Sequence, residues 1–223
     1  LTALLAISIF SALVLRDVRL EERKNDLANI SHAALSMVKA YAAQAESGAI
    51  SKEEAQARAR AALKSIRYGV GGYFAVANSS QVILIHPIKP ELEGKDMTNV
   101  KDPVGYSLFI EITKAAGKPD GDFVNYMWPK VGVADPVPKT TFVIAYKPWD
   151  WNLTTGAYLD DINAAFIRTL TQMAILFIVV AVALVALLIV INRSILRTIG
   201  GDPATAAELA NRIAHGDLTP SIE

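Results

Sequence analysis

The chain has 223 residues, with 22 basic and 22 acidic side chains and no cysteine. This charge balance produces no overall positive field, so nucleic acid is not expected as a partner. The lack of cysteine excludes disulfides and thiolate metal sites. The mean hydropathy is positive although 20% of the residues are charged, which indicates that very apolar segments are separated from ordinary ones.

Two apolar segments predict membrane helices. Thr169–Asn192 carries no charged side chain, and Met173–Ile191 within it is almost wholly aliphatic. At about 1.5 Å per residue, Met173–Ile191 is roughly 28 Å long, close to the thickness of a bilayer's hydrocarbon core. We predict a span over residues 169–191. Leu1–Leu15 is shorter, but no small-residue cleavage signal precedes the charged stretch from Arg16, so we interpret residues 1–15 as a truncated first span rather than a signal peptide. The chain also stops at Glu223, just after a new amphipathic pattern begins, and we expect it to be a fragment.

The orientation of these spans does not follow from charge alone. Arg193 and Arg197 follow the second span and favour a cytoplasmic C-terminal side. The basic residues of Arg16–Lys24 follow the first span and, taken alone, favour the opposite orientation, although Glu21 and Glu22 lie among them.

Helical patterns come first in the region between the spans. Residues 16–46 have apolar side chains on one stripe and predict a long helix, which Gly48 ends. Ser51 and Glu54 form a capping-box pattern for a second helix that reaches about Ile66.

After the second predicted helix, the sequence pattern changes from a helical period to the two-residue period of strands. Tyr73–Ala77 and Gln81–His86 predict a hairpin, and three further strands are predicted at 122–128, 140–146 and 151–158. Asp102-Pro103 predicts the N-cap and first turn of an intervening helix that ends near Gly117. Helix is predicted again from Asp160 onward. This order favours an α+β domain: an antiparallel sheet with helices on one side.

Several motifs between residues 16 and 162 together resemble the single Cache sensor domains of bacterial chemoreceptors, of the sCache_2 type. The resemblance implies a long N-terminal helix followed by a PAS-like antiparallel sheet. It rests on Ile66-Arg67-Tyr68-Gly69, Gly72-Tyr73-Phe74-Ala75-Val76, His86-Pro87, Leu92-Glu93-Gly94-Lys95-Asp96, Lys101-Asp102-Pro103 with Gly105, Tyr126-Met127-Trp128-Pro129-Lys130, Lys147-Pro148-Trp149-Asp150-Trp151 and Thr155-Gly156-Ala157-Tyr158-Leu159-Asp160-Asp161-Ile162.

Residues 192–223 resemble the first half of a HAMP linker of methyl-accepting chemotaxis proteins, through Ile199-Gly200-Gly201-Asp202-Pro203 and Ile213-Ala214-His215-Gly216-Asp217-Leu218. Asp202 would cap a helix that begins at Pro203 and ends at Gly216, with Leu209 and Ile213 on its apolar seam. HAMP linkers are cytoplasmic, so the resemblance implies a multi-pass protein of the bacterial inner membrane whose sensor domain is periplasmic or extracellular. It also implies a homodimer that contacts membrane lipid and signals to cytoplasmic chemotaxis proteins through an output domain beyond this chain.

The resemblance further implies a small organic acid as ligand: acetate, propionate, pyruvate, lactate or a C4 acid. No cofactor or metal is implied. Such an anion needs cationic, hydroxyl or imidazole donors to offset its desolvation. The candidate ligand-binding residues are Arg67, Tyr68, Tyr73, His86, Tyr126, Trp128, Lys139 and Tyr146.

Structural roles remain open for several of these residues. Arg67 could cap a helix or pair with an acid, Tyr73 and Trp128 could be ordinary core, His86 could hydrogen-bond the backbone, and Lys139 could be a solvated charge. Glu91, Glu93 and Asp96 lack the regular spacing of a calcium loop.

Two other functions compete with a chemoreceptor. The same front end could serve a histidine kinase or a cyclic-dinucleotide enzyme. A membrane-tethered extracytoplasmic enzyme is disfavoured, because the sequence has no Gly-x-Ser-x-Gly, His-Glu-x-x-His or phosphate-binding glycine motif. We therefore expect no enzymatic activity from this region.

Overall fold

The computed structural model describes residues 2–69, 71–130, 132–199 and 203–216. It contains five helices and five strands within those ranges, together with 3₁₀ turns at Pro90–Leu92 and Lys147–Trp149. In chain order the elements are α1 (Thr2–Glu46), α2 (Lys52–Ser65), β1 (Phe74–Ala77), β2 (Ile83–Ile85), α3 (Leu108–Ala116), β3 (Asp122–Trp128), β4 (Val137–Tyr146), β5 (Trp151–Tyr158), α4 (Asp160–Ile199) and α5 (Pro203–Ala214).

The chain forms two compact units. Ser11–Ile167 contains the sheet and α2 and α3 with most of α1, and the other unit consists of Leu1–Phe10 and Arg168–Glu223. The sheet has the order β2-β1-β5-β4-β3, and every neighbouring pair is antiparallel. This architecture confirms the predicted α+β fold. The predicted strands at 122–128 and 151–158 have the observed bounds, whereas β4 begins three residues earlier than predicted.

The two faces of the sheet carry separate apolar clusters. Along β4, Phe142, Ile144 and Tyr146 pack with residues of α1 and α2, whereas Val143 packs with residues of α3. The prediction that the helices lie on one side is therefore wrong. Because alternate residues of β4 are apolar on both faces, each face needs a cover, and α3 provides the second one.

Helix ends follow local chemistry at the first two helices. The Ser51 hydroxyl accepts the Glu54 N–H at 3.0 Å, as the capping box requires. The Glu54 carboxylate instead accepts from Arg58 one turn later, so the reciprocal half of the box is not formed. Helix α1 ends at Glu46, and Gly48 follows it with a φ of +75°, a conformation that glycine adopts without strain.

The predicted helix start at Asp102-Pro103 is wrong. The Asp102 carboxylate accepts the N–H groups of Val104, Tyr106 and Met127 at 3.1, 2.8 and 3.0 Å. These bonds hold a loop against β3, and α3 begins only at Leu108. Asp102 thus acts as a loop organiser, because short acidic side chains stabilise turns as readily as helix starts.

Helix α4 is continuous from Asp160 to Ile199. Among the described residues, Asp160–Ile195 is the one helix segment long and apolar enough to cross a membrane. Large side chains such as Ile178 and Val182 are exposed along it. Residues 2–15 are the start of α1, and α5 begins at Pro203 as predicted. The predicted Asp202 cap lies outside the described residues.

Candidate functional site

A pocket lies between the sheet and α3, in the unit formed by Ser11–Ile167. It has a volume of about 30 Å³, which by the same measure holds about two or three water molecules. Its polar groups lie on the strands or, for Tyr73 and His86, directly next to them, and its apolar groups come from β1, β2, Trp128 and α3. The lining residues are Tyr73, Ala75, Val76, Ala77, Ile83, His86, Leu108, Phe109, Ile112, Tyr126, Trp128, Lys139, Thr141, Thr154, Thr155 and Gly156.

Strand register brings the polar groups together. Tyr126 of β3 pairs with Lys139 of β4, and Thr141 of β4 pairs with Gly156 of β5. Paired residues of an antiparallel sheet project to the same side. Gly156 leaves room at the floor, since a Cβ there would lie 2.6 Å from the Thr140 carbonyl oxygen and 2.8 Å from Lys139 Cε.

Lys139 provides a buried positive charge. The residue is 4% exposed, and its Nζ donates to the Tyr73 hydroxyl at 3.1 Å. It also lies 4.6 and 5.0 Å from the ring centroids of Tyr73 and Tyr158. Burial, and then the nearby Lys89, lower the pKa of Lys139 to about 7, and within the described part of the chain no carboxylate pairs with it. An ammonium in this position is stabilised by dipoles and aromatic faces alone.

His86 contributes a neutral imidazole. Its Nδ1 accepts the Lys89 N–H at 3.0 Å, so the ring proton resides on Nε2 and is available as a donor. Burial and the positive charges of Lys139 and Lys89 lower the pKa of His86 to about 4. The backbone N–H of His86 donates to Glu93 at 2.8 Å, which fixes the loop after β2.

The two pocket tyrosines are also neutral donors. The Tyr126 hydroxyl accepts from Thr141 Oγ1 at 2.9 Å, and burial raises the pKa of Tyr126 to about 12. Burial likewise raises the pKa of Tyr73 well above its usual range. Since each hydroxyl already accepts one hydrogen bond, its own hydrogen can be donated to a ligand.

Trp128 forms an aromatic wall beside these groups. Its ring makes edge contacts with Phe109 and Tyr126, with centroids 6.2 and 5.9 Å apart, and lies 6.5 Å from His86. Lys89 Nζ lies 5.2 Å from the ring centroid, so a second cation stands beside the pocket. The site therefore combines two positive charges, several neutral donors and an apolar end.

Five of the eight residues predicted from the sequence line this pocket: Tyr73, His86, Tyr126, Trp128 and Lys139. The structure does not bring the other three there. The exposed Arg67 donates to the carbonyls of Lys64 and Ile66, both at 2.7 Å, and caps the C-terminal end of α2. Tyr68 hydrogen-bonds Thr155 and lines a separate cleft beside α1, and Tyr146 packs in the core on the α1 side of the sheet.

Several residues that line the pocket were not predicted from the sequence. Thr141 and Thr154 could have been found from strand alternation, because Thr141 shares a face with Lys139. Leu108, Phe109 and Ile112 could not, because their contribution depends on α3 covering the second face. Over the described ranges, no group of three or more histidine, aspartate or glutamate side chains is arranged to hold a metal ion.

The fold and pocket are those of a class of ligand-sensing domains, the Cache domains, and comparison with known proteins agrees. The model of the family described as Single Cache domain 2 matches residues 20–172. The methyl-accepting chemotaxis protein McpP of Pseudomonas putida is 33% identical over 178 residues, which are 79% of this chain and 32% of that protein. The sensor histidine kinase MctS of Rhizobium johnstonii is 30% identical over 145 residues, 65% of this chain and 31% of that protein.

Two solved structures are also similar. A periplasmic sensor domain of a chemotaxis protein is 37% identical with a TM-score of 0.61, covering 63% of this chain and 97% of that one. A Cache chemosensory domain, described in terms of its recognition of carboxylic acids, is 31% identical with a TM-score of 0.60 and covers 64% and 97%.

The chain belongs to the Single Cache domain 2 family and contains a Cache sensor domain of the chemoreceptor type. It spans about a third of the length of the curated relatives that it matches.

Proposed function

We propose that this chain is the sensing and membrane-spanning part of a bacterial chemoreceptor, and that its pocket binds a short-chain carboxylic acid. The observation that carries this proposal is the buried ammonium of Lys139, which has no carboxylate partner among the described residues. A buried charge without a counterion is costly, and a bound anion would offset that cost.

The surrounding donors suit a carboxylate. One oxygen can accept from Lys139, and the Nε2–H of His86 and the hydroxyls of Tyr73 and Tyr126 supply further hydrogen bonds. Hydrogen bonds between a charged donor and a carboxylate are shorter and stronger than neutral ones. Aromatic walls around the anion exclude water and strengthen these interactions.

Pocket size favours the smaller members of the expected ligand class. A volume of about 30 Å³ favours acetate, the smallest of the expected acids, whereas C3 acids require side chains to move and a C4 acid requires larger movements. The methyl end of a C3 acid would contact Leu108 and Ile112 of α3, which are buried apolar residues. The related domain that recognises carboxylic acids supports this assignment.

The membrane arrangement is part of the same proposal. We assign spans to residues 1–15 and 169–191, the sensor domain to residues 16–162 outside the cytoplasm, and the first half of a HAMP linker to residues 192–223. The long apolar helix α4 and the observed start of α5 at Pro203 support this assignment. The proposal includes a homodimer in the inner membrane, contact with lipid, and cytoplasmic chemotaxis proteins as signalling partners.

A second candidate output is a histidine kinase, favoured by the similarity to MctS. The sensor pocket would then serve the same ligand class with a different cytoplasmic domain. The coding sequence downstream of Glu223 distinguishes the two: a methylation-helix coiled coil supports the chemoreceptor, and a kinase domain supports the alternative.

A thermal-shift screen tests the ligand class. The full chain in lipid nanodiscs is heated with acetate, propionate, pyruvate, lactate, succinate and a panel of amino acids. A ligand at 100 times its Kd adds about 2.7 kcal/mol of stability, which raises the Tm of the sensor unit by several degrees. Stabilisation by C2 or C3 acids supports the proposal, and stabilisation by amino acids alone contradicts the ligand class.

A further inference from the structure

Tyr158 connects the pocket to the helix that leaves the domain. It is the last residue of β5, is separated from Asp160 of α4 by one residue, and pairs with Lys139 in the β4–β5 ladder. The N–H of Leu159 donates to the Pro138 carbonyl at 2.9 Å, so the chain stays tied to β4 up to the start of the helix. Lys139 is therefore paired with a residue that lies only two positions before the start of α4.

The Tyr158 ring contacts two cations. Lys139 Nζ lies 5.0 Å from its centroid, and Lys130 Nζ lies 5.3 Å from it. The hydroxyl donates to the Pro129 carbonyl at 2.8 Å, which holds the ring beside Lys130. Each cation is attracted to the electron-rich ring face, so a change at one alters the field that the other experiences.

Lys130 also holds the first residue of α4. Its ammonium lies 2.7 Å from Asp160 Oδ2, and this ion pair lowers the pKa of the Asp160 carboxyl. Both side chains are about one-third exposed, so solvent only partly screens the pair. Asp160 Oδ1 is buried and has no hydrogen bond of standard geometry among the described residues. Lys130 contributes most to the lowered pKa of this carboxyl, and the backbone N–H groups of Asp160 and Asp161 contribute less. A carboxylate at a helix N-terminus also stabilises the helix start.

We propose that Tyr158 is the coupling residue between the ligand pocket and α4. An anion bound at Lys139 draws the ammonium away from the Tyr158 ring, and the ring then interacts more strongly with Lys130, which weakens the Lys130–Asp160 pair and loosens the first turn of α4. This step rests on the proposed anion site at Lys139. It assigns Tyr158, which was not among the residues predicted from the sequence, a role in transmission rather than in binding alone.

Hydrogen–deuterium exchange of the full chain in nanodiscs tests the coupling without a ligand. Lys139→Met removes the pocket cation, and we expect the opening equilibrium of amides 163–166, the first with intrahelical hydrogen bonds, to change by about fivefold, the lower end of typical coupling between sites. In the Tyr158→Leu background, Lys139→Met should leave the exchange rates of these amides unchanged. Tyr158→Phe keeps the ring and should retain the response. Thr141→Val, on the same face of β4 two residues away, serves as the control that alters the pocket without touching Tyr158.

A response of equal size with tyrosine and with leucine at position 158, or no response at all, would overturn the coupling. A second arm titrates propionate into the wild type and Lys130→Met. Because the coupling runs through the Lys130–Asp160 pair, reciprocity requires that Lys130→Met change the propionate Kd by about fivefold when residue 158 is tyrosine, and that it have no effect when residue 158 is leucine. Arg23→Met breaks a second ion pair of α4, with Asp161 at 3.1 Å, in which Lys130 takes no part, so it should leave the Kd unchanged. If propionate and the other acids do not bind at all, the proposed ligand class fails, and the exchange experiment still decides whether Tyr158 couples Lys139 to α4.

Discussion

The Lys139 ammonium donates to the Tyr73 hydroxyl at 3.1 Å and lies 4.6 Å from the centroid of the same ring. Tyr73 therefore stabilises the charge twice, through its oxygen and through its ring face, yet supplies no negative charge. Since Lys139 is 4% exposed, the empty pocket carries an incompletely compensated cation. The incompletely compensated charge of Lys139 lowers the stability of the ligand-free domain and makes the free energy of anion binding more favourable.

Replacing Lys139 with methionine should separate these two effects. The apolar side chain removes a buried charge; even a buried ion pair can be replaced by well-packed apolar residues with no loss, or with a gain of about 1–4 kcal/mol, and Lys139 has no carboxylate partner among the described residues. We expect Lys139→Met to raise the Tm of the ligand-free chain and to abolish the thermal shift caused by propionate. The exposed Lys147 provides a matched control, and Lys147→Met should change neither quantity. A lower Tm for Lys139→Met would show that the cation is well compensated in the empty pocket.

Ligand affinity should depend on pH through Lys139. Its pKa is lowered to about 7 in the free pocket, and a bound carboxylate favours the charged form and raises that pKa. Binding therefore takes up a proton above pH 7. The propionate Kd should be constant between pH 5.5 and 6.5 and rise by about tenfold per pH unit above 7.5. His86, with a pKa of about 4, stays neutral over this range. Calorimetry in buffers of different ionisation enthalpy measures the proton uptake, and a Kd independent of pH up to 9 excludes this role of Lys139.

As the pH rises, the ligand-free domain should become more stable, whereas its affinity for propionate should fall. Lys139 has a folded-state pKa of about 7 and an ordinary value of 10.5, so between these values the unfolded chain binds more protons than the folded one. Stability then rises with pH. The destabilisation caused by burying charged Lys139 is fully present below pH 7 and decreases as the pH increases toward 9.5. The difference in unfolding free energy between Lys139→Met and the wild type, measured with denaturant, should shrink over this window. A difference that stays constant from pH 6 to 9.5 would be incompatible with the lowered pKa.

Arg67→Ala should affect stability but not binding. The guanidinium caps the carbonyls of Lys64 and Ile66 rather than facing the pocket, so its loss should cost about 0.5–1 kcal/mol. The propionate Kd should remain within about twofold, a change of roughly 0.4 kcal/mol. Tyr146→Phe, on the other face of the sheet, should also leave the Kd unchanged. A tenfold loss of affinity in Arg67→Ala would return Arg67 to the binding site.

Gly156→Ala should close the floor of the pocket. The added Cβ would lie 2.6 Å from the Thr140 carbonyl oxygen and 2.8 Å from Lys139 Cε, and overpacking of this kind typically costs about 1–3 kcal/mol. We expect a lower Tm, measured calorimetrically, and weaker binding of propionate than of acetate, because the remaining space is smaller. Unchanged affinity for both acids would place the ligand elsewhere.

The sequence predicted the strands well because their alternation is a local property. It also predicted five pocket residues, since aromatic and basic side chains on neighbouring strands suit an anion site. Tyr146 could have been excluded by parity: it lies seven residues after Lys139 on one strand and so projects to the opposite face. Arg67 could not, because a side chain just after a helix can turn back to cap it or turn outward. The loop at Asp102 and the position of α3 depend on bonds to β3 that no local pattern specifies.

Calorimetric titration of the full chain at pH 6.5 with propionate and, in parallel, with propionamide tests the role of the Lys139 ammonium most directly. The two molecules have nearly the same shape, but only propionate carries the negative charge that Lys139 requires. We predict saturable binding of propionate with one site per chain and no detectable binding of propionamide. Equal binding of both compounds would contradict the central role of the buried ammonium. Failure of propionate, acetate and pyruvate alike would contradict the assigned ligand class.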